Sequence, residues 1–200
     1  MNDDAIRLLL ATRIAWIRRQ KGKFEAQERQ SRRLYVSGES HYFLGRRYRL
    51  EVVPQEKPSG VVLKGKNKMI LHVRPASSRT KREQTILDWY RSELKGVVNE
   101  LLPKWQEKIG VRPESYGIRK MKTRWGTCSQ KTRKIWLNLE LVKKPPEYIE
   151  YVIVHELLHL IEKKHNRNFV ALMSEHLPQL RRMKEELNRF VLSHEEWKYC

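Results

Sequence analysis

Apolar residues recur along the chain with two different periods, and the switches between them mark its organisation. From residue 4 to residue 20, Ile6, Leu9, Leu10, Ile14 and Ile17 fall at helical spacing, with Asp3 and Asp4 at the end of a helix that favours negative charge. An amphipathic helix is predicted there. Residues 21–33 are polar and basic and read as a linker or a solvated extension. From Leu34 to Arg74 the apolar residues come in short runs, at 42–44, 48–53, 61–63 and 69–73, separated by breaks containing Gly or Pro. That pattern predicts the strands of an antiparallel meander.

Between Ser78 and Gly110 the helical period returns. Ile86, Trp89, Tyr90, Leu94, Val97, Val98, Leu101 and Leu102 make one broad stripe, with Pro103 expected to break the helix or start a new one. Strands are predicted at 116–121 and 134–139, joined by a loop over 122–133 that holds Trp125, Gly126 and Cys128. Pro145 and Pro146 then open another helix, with Glu147 and Glu150 at its positive end, expected to run to about Lys163. Two further helices, at 168–176 and 178–191, precede a polar tail. The organisation expected is a helix and basic linker over 1–33, a strand region over 34–77, a main core over 78–192 and a tail over 193–200.

The helix after Pro146 contains His155-Glu156-Leu157-Leu158-His159 inside an apolar surround. Four residues advance a helix by about 400°, so both imidazoles lie on one face a turn apart and can share a metal ion. Glu156 lies about 100° round from His155, where it can reach a metal-activated water as a general base. A buried Glu156 would be costly without such a site to serve. A catalytic zinc needs a third protein ligand, and His165, six residues past His159, is the first choice, provided the helix ends and the chain doubles back. Glu162, Glu175, His176 and Cys128 are rival ligands. His41, His72 and His194 fall outside this cluster and are expected at the surface.

Composition adds charge to this picture. The chain of 200 residues carries 42 Lys+Arg and 23 Asp+Glu, a formal net charge of +19. Counted by quarters this is +7, +4, +7 and +1, so the quarter holding His155 to His165 is nearly neutral while the one before it is strongly basic. The excess suggests anionic substrates or association with nucleic acid. With 40% hydrophobic residues and six Trp the chain can bury a real core. No apolar run is long enough to cross a bilayer, and the two cysteines, Cys128 and Cys200, cannot form a disulfide framework. A soluble, cytoplasmic protein with no membrane association is expected.

Arg124-Trp125-Gly126-Thr127-Cys128, Ile135-Trp136-Leu137-Asn138, Pro145, the run from Tyr151 to Leu160 and His165-Asn166-Arg167-Asn168-Phe169 occur in the order found in the YgjP-like metallopeptidase-domain proteins, which the chain resembles. These are relatives of the SprT-like and Wss-type zinc-dependent proteases. Thr127 stands where that family usually has Ser, Val170 where an aromatic residue is common, and the first third looks shortened. The resemblance implies an α+β fold with a zincin-like core, antiparallel strands packed on the HExxH helix, Zn(2+) held by His155, His159 and His165, and Glu156 as the catalytic acid/base.

Hydrolysis is the reaction expected, with peptides as substrates. The strand at 134–139 is the candidate to line the cleft and pair with an extended substrate, and Arg124, Trp125, Cys128 and Asn138 are candidate cleft or substrate contacts. Two other readings are carried. The resemblance to YgjP-type proteins also implies a zinc-dependent nucleoside triphosphate pyrophosphatase acting on UTP, for which the basic segment 119–133 would hold phosphates. The third reading is a DNA-associated binding module with a structural or inactive zinc site.

Overall fold

The computed structural model describes residues 33–189 and, in the stretch before them, Arg13, Ile14, Trp16 and Arg18, all four helical. The rest of the helix predicted over 4–20, the linker, the end of the last predicted helix, His194 and the tail lie outside the described residues. The fold is α+β. Seven strands, β1 (Ser40–Phe43), β2 (Arg46–Pro54), β3 (Gly60–Lys64), β4 (Lys68–Val73), β5 (Ser115–Arg119), β6 (Gly126–Ser129) and β7 (Lys134–Asn138), form two sheets. The helices are α1 (Arg79–Ile109), α2 (Pro146–Leu158), α3 (Arg167–His176) and α4 (Leu180–Arg189), with a 3-10 helix at Leu139–Lys143. Among the described residues no helix is long and apolar enough to cross a membrane.

The first sheet is not the antiparallel meander expected from the runs of apolar residues. Its order is β1-β2-β4-β3, with β2 and β4 parallel, Leu50 opposite Met69 and Val52 opposite Leu71. The reason lies in β4, whose Met69, Leu71 and Val73 are buried, so that it takes an interior place with neighbours on both sides. β3, with Val62 half exposed, is suited to the edge. The alternation in β1 turns His41 and Phe43 inward and Ser40 and Tyr42 outward. His41 is therefore a core residue, 1% exposed, and not the surface residue expected, while His72 on β4 is half-buried.

α1 is continuous over 31 residues. Ser78 caps its start by accepting the Lys81 N–H, and Gly110, at φ 77°, ends it in the left-handed conformation that glycine adopts without strain. Pro103 does not break it: Leu102 and Trp105 on either side are buried in the same stripe, and that packing outweighs the roughly 3 kcal/mol cost of an interior proline.

The core runs from the first sheet through α1 to α2. Trp105 Nε1 donates to Glu150 Oε1 at 2.9 Å, and Tyr148 hydrogen-bonds Glu186, so α2 is fixed to α1 on one side and α4 on the other. The turn after β1 is held to the 3-10 helix by Leu44 N–H on the Val142 carbonyl at 2.8 Å. Gly45 lies so near Pro145 that a Cβ would come 2.7 Å from its ring. These contacts set where α2 begins.

His41 gives this packing a pH dependence. Burial first, and then the charge of Arg33, push its pKa from 6.5 down to about 4 against the pull of Glu39, whose carboxylate is 3.5 Å away. Below about pH 6.5 the unfolded chain takes up a proton that the folded chain accepts only near pH 4. Stability therefore falls as pH drops through that window and is not affected above it, by up to about 3 kcal/mol. Denaturant midpoints measured at pH 7 and at about pH 4.5 should differ less for His41→Phe than for the native sequence. Equal losses would assign the acid sensitivity to other groups.

Candidate metal centre

α2 is largely apolar: Ile149, Val152, Ile153, Val154, Leu157 and Leu158 are at most 2% exposed. Its charged and polar groups stand toward the two ends, Glu147 and Glu150 near the start and the site residues near the finish. His155 and Glu156 occupy the last turn and His159 follows immediately, with its Nε2 3.2 Å from His155 Nε2. The helix ends at Leu158 and not near Lys163, because the Leu160 and Ile161 N–H groups bond the Leu157 and Leu158 carbonyls at 2.9 and 3.0 Å and tighten the last turn.

Glu162 then organises a reversal that needs no glycine. Its carboxylate accepts the Lys164 N–H at 3.1 Å, and the Asn166 N–H reaches the Lys164 carbonyl at 2.8 Å. Asn166 caps α3 by accepting the Phe169 N–H at 3.0 Å. The residue carried back by this turn is His165, whose Nε2 lies 3.1 Å from that of His159 and 3.0 Å from that of His155.

Three imidazole nitrogens thus converge on one point. Nδ1 of His159 lies 3.0 Å from the Glu162 carbonyl, an acceptor only, so Nδ1 carries the hydrogen and Nε2 presents a lone pair. Lone pairs facing one another at this distance repel, and a shared cation relieves the repulsion. Nitrogens bound at about 2.0–2.1 Å to a tetrahedral zinc lie about 3.3 Å apart, close to the spacing here. These three residues can hold a divalent metal ion. Glu162, Glu175, His176 and Cys128 do not join them among the described residues. Glu162 shapes the turn, His176 packs edge-on against Trp105, Glu175 is exposed, and Cys128 is considered below.

The triad is walled by Phe169, a residue that sequence reasoning did not single out as part of the site. Its buried ring stacks on His159 at 4.6 Å and 24° and meets His155 and His165 edge-on at 5.0 and 4.8 Å. Gln130 adds a bond to the His159 carbonyl at 2.8 Å. The signal for Phe169 was its place three residues after the cap Asn166, which turns it toward α2.

Glu156 is 4% exposed, and its Oε2 has no hydrogen-bond partner among the described residues. Burial pushes its pKa up to about 8, with the nearby charge of the exposed Arg124 working the other way. A buried carboxyl oxygen with an open valence is what a base acting on water or substrate requires. The space beside it is kept by Gly126, where a Cβ would sit 2.6 Å from Glu156 Oε1 and 2.9 Å from Val152 Cγ1. Cys128 is half-buried, and its thiol is pushed up to about 11 by burial and by the charge of Glu156, so it keeps its proton.

Two expectations for the cleft change. The segment 122–133 is not a plain loop, since Gly126–Ser129 forms β6, and the second sheet has the order β5-β7-β6 with β5 and β7 parallel. β7, the strand expected to pair with a substrate, has neighbours on both sides and no free edge. The edge on the α2 side, with no further strand paired to it among the described residues, belongs to β6. Gly-Thr-Cys-Ser has no apolar alternation, which hid it from pattern reading.

Asn138, expected as a cleft contact, is fully buried and structural. Its Nδ2 donates to the Met121 and Arg124 carbonyls at 2.8 and 2.7 Å, and its Oδ1 accepts the Met121 and Glu140 N–H groups, both at 3.2 Å. It fastens the segment bearing Arg124. Trp125 is half-buried beneath Lys144, 5.5 Å from its ring.

A histidine pair on one helix, a third histidine returned by a turn and a buried glutamate in the same motif define a centre of the metal-dependent hydrolase type. Residues 1–190 match the YgjP-like metallopeptidase domain, and the chain belongs to that family. The matched residues include the first third of the chain. Two solved structures are similar over part of the chain. The zymogen of Pyrococcus abyssi abylysin, a metallopeptidase, has 22% identity over 45% of this chain and 90% of that one, at a TM-score of 0.42. The metallopeptidase zymogen of Methanocaldococcus jannaschii jannalysin has 25% identity over 48% and 94%, at a TM-score of 0.39. Comparison with curated proteins found no match.

Gly126→Ala should therefore displace Glu156 while leaving the three histidines in place. The expected result is unchanged metal stoichiometry by elemental analysis with hydrolytic activity reduced by about tenfold or more. Loss of metal in step with activity would show that Gly126 supports the triad and not the carboxylate.

Proposed function

We propose that the protein is a zinc-dependent peptidase in which His155, His159 and His165 hold the ion and Glu156 is the general base. The observation that carries this reading is the convergence of three imidazole nitrogens within 3.0–3.2 Å of one another at the end of the helix that also buries Glu156 Oε2, which has no hydrogen-bond partner among the described residues. A structural site would have a fourth protein ligand and no use for that carboxylate. When bound, zinc would acidify a water and polarise the carbonyl under attack.

The chain's own residues do the rest. The free edge of β6 is the place for an extended peptide to add as a further strand, which would set its scissile bond beside α2. Glu156 Oε2 takes the proton of the attacking water and returns it to the departing amine, two transfers that one carboxyl can perform in succession. Its raised pKa suits the second, because a carboxyl that holds a proton near neutrality is a usable acid. Arg124 keeps the ionised form accessible for the first. Phe169 and Glu162 keep the three rings from turning away when the site is empty.

Activity should be measured on unfolded protein substrates and on nucleoside triphosphates side by side, with zinc-loaded native protein and with Glu156→Gln. Peptide cleavage that falls by about 10²–10⁴ in Glu156→Gln at equal zinc content is expected. Pyrophosphate release without peptide cleavage would replace the peptidase reading with the pyrophosphatase one, and undiminished turnover in Glu156→Gln would remove the proposed base. His165→Ala should lower the zinc content of the purified protein, whereas full retention would move the third ligand elsewhere.

A further inference from the structure

The second sheet has two faces with different character. Ile135 and Leu137 of β7 point to the core, together with Cys128 and Gly126 opposite them, and α2 packs there. The alternate residues, Lys134 and Trp136, stand on the other face with Ser115, Gly117 and Arg119 of β5 and Thr127 and Ser129 of β6. Trp136 is half-buried at the middle of this face.

Its ring lies against Gly117, where a Cβ would come within 2.4 Å of the indole, so only glycine lets the ring take that position. Two cations lie over it, Arg119 with its guanidinium carbon 4.7 Å and Lys134 with its Nζ 4.4 Å from the ring centroid. Apart from these two cations, the strand residues that flank the indole on this face are Gly117 and the small, hydroxylated Thr127 and Ser129.

The ends of the same strands are basic. Between Gly110 and Asn138 the only acidic residue is Glu114, against eight Lys or Arg. Lys134, with Lys131 and Arg133 in the turn before it, lies at one end of the parallel pair β5–β7. Arg119, followed by Lys120 and Lys122, lies at the other. A positive track with one aromatic platform at its middle therefore runs along the face of the sheet that is turned away from the metal centre.

We propose that this outer face binds single-stranded nucleic acid, with a base stacked on Trp136 and the flanking phosphates on Arg119 and Lys134. Aromatic platforms within positive grooves are the means by which proteins hold unpaired bases, and stacking on one of them is worth a large share of the affinity. An acidic peptide would use the cations but not the indole, and duplex nucleic acid would present phosphates with its bases out of reach. The binding face is separate from the triad and from Glu156, so the proposal stands whether or not the centre cleaves peptides.

The test is fluorescence anisotropy of a short labelled oligothymidine with the full chain, repeated over a salt series and against a duplex of equal length. The native protein should bind the single strand more tightly than the duplex. Trp136→Ala should weaken single-strand binding by about tenfold or more with little effect on the duplex. Arg119→Ala with Lys134→Ala should reduce the slope of log affinity against log salt by about 1.4, the value for two lost phosphate contacts. Far-ultraviolet circular dichroism and the denaturation midpoint report whether each variant is folded, and Trp136→Phe, which keeps a stacking ring, should recover most of the binding. The proposal is overturned if the native protein fails to bind the single strand, if it prefers the duplex, or if folded Trp136→Ala and the double variant bind as the native protein does.

Discussion

A carboxyl oxygen buried without a hydrogen-bond partner among the described residues, in a largely apolar helix, is the constraint on which the rest of this structure turns. Burying such a group costs on the order of kcal/mol, and more when it ionises, so the surroundings have to make the position tolerable. They do so by close approach and not by hydrogen bonding. Gly126 brings the backbone of β6 against the side chain of Glu156, Asn138 fastens the segment that carries Arg124, and the charge of Arg124 moderates the pKa. The second sheet can thus be understood as a device that holds one edge strand against one helix. Its small size suffices because α1, α2 and the first sheet provide the bulk of the core.

The three histidines obey a related logic. Two come from helical periodicity alone. The third depends on a turn assembled from Glu162, Lys164 and Asn166, each of which satisfies a backbone group that the end of α2 or the start of α3 would otherwise leave open. Phe169 then packs against all three rings. The ligand set is preorganised from behind, by apolar contact and backbone bonds, so its front is left to whatever binds.

What could be read from the sequence was what depends on local period. The stripe from Ile86 to Leu102, the strand runs of the first sheet and the placement of His155 and His159 on one helical face all follow from spacing within a single element. The relation of His165 to that pair could be posed from spacing but needed the turn to be seen. What could not be read was decided between elements. The insertion of β4 between β2 and β3 depends on which strand is most completely buried, and β6 exists because β7 pairs with it, not because its four residues favour a strand. Asn138 looks from sequence like a polar residue at a strand end that faces a cleft, and its real employment is visible only once the loop at 121–124 is in place. The burial of His41 was recoverable in principle, since it shares the inward phase of Phe43.

The position of the triad at the C-terminal end of α2 has an electrical consequence. The peptide dipoles of a helix sum to a partial negative charge at that end, and His155, Leu157 and Leu158 direct their carbonyls there, taken up by the turn that follows. A cation held by His155, His159 and His165 would sit in the attractive field of the whole helix, whereas an anion at the same place would be opposed by it. Selection for positive over negative charge at this point is therefore built into the direction in which the chain runs through α2, independently of the residues that bind.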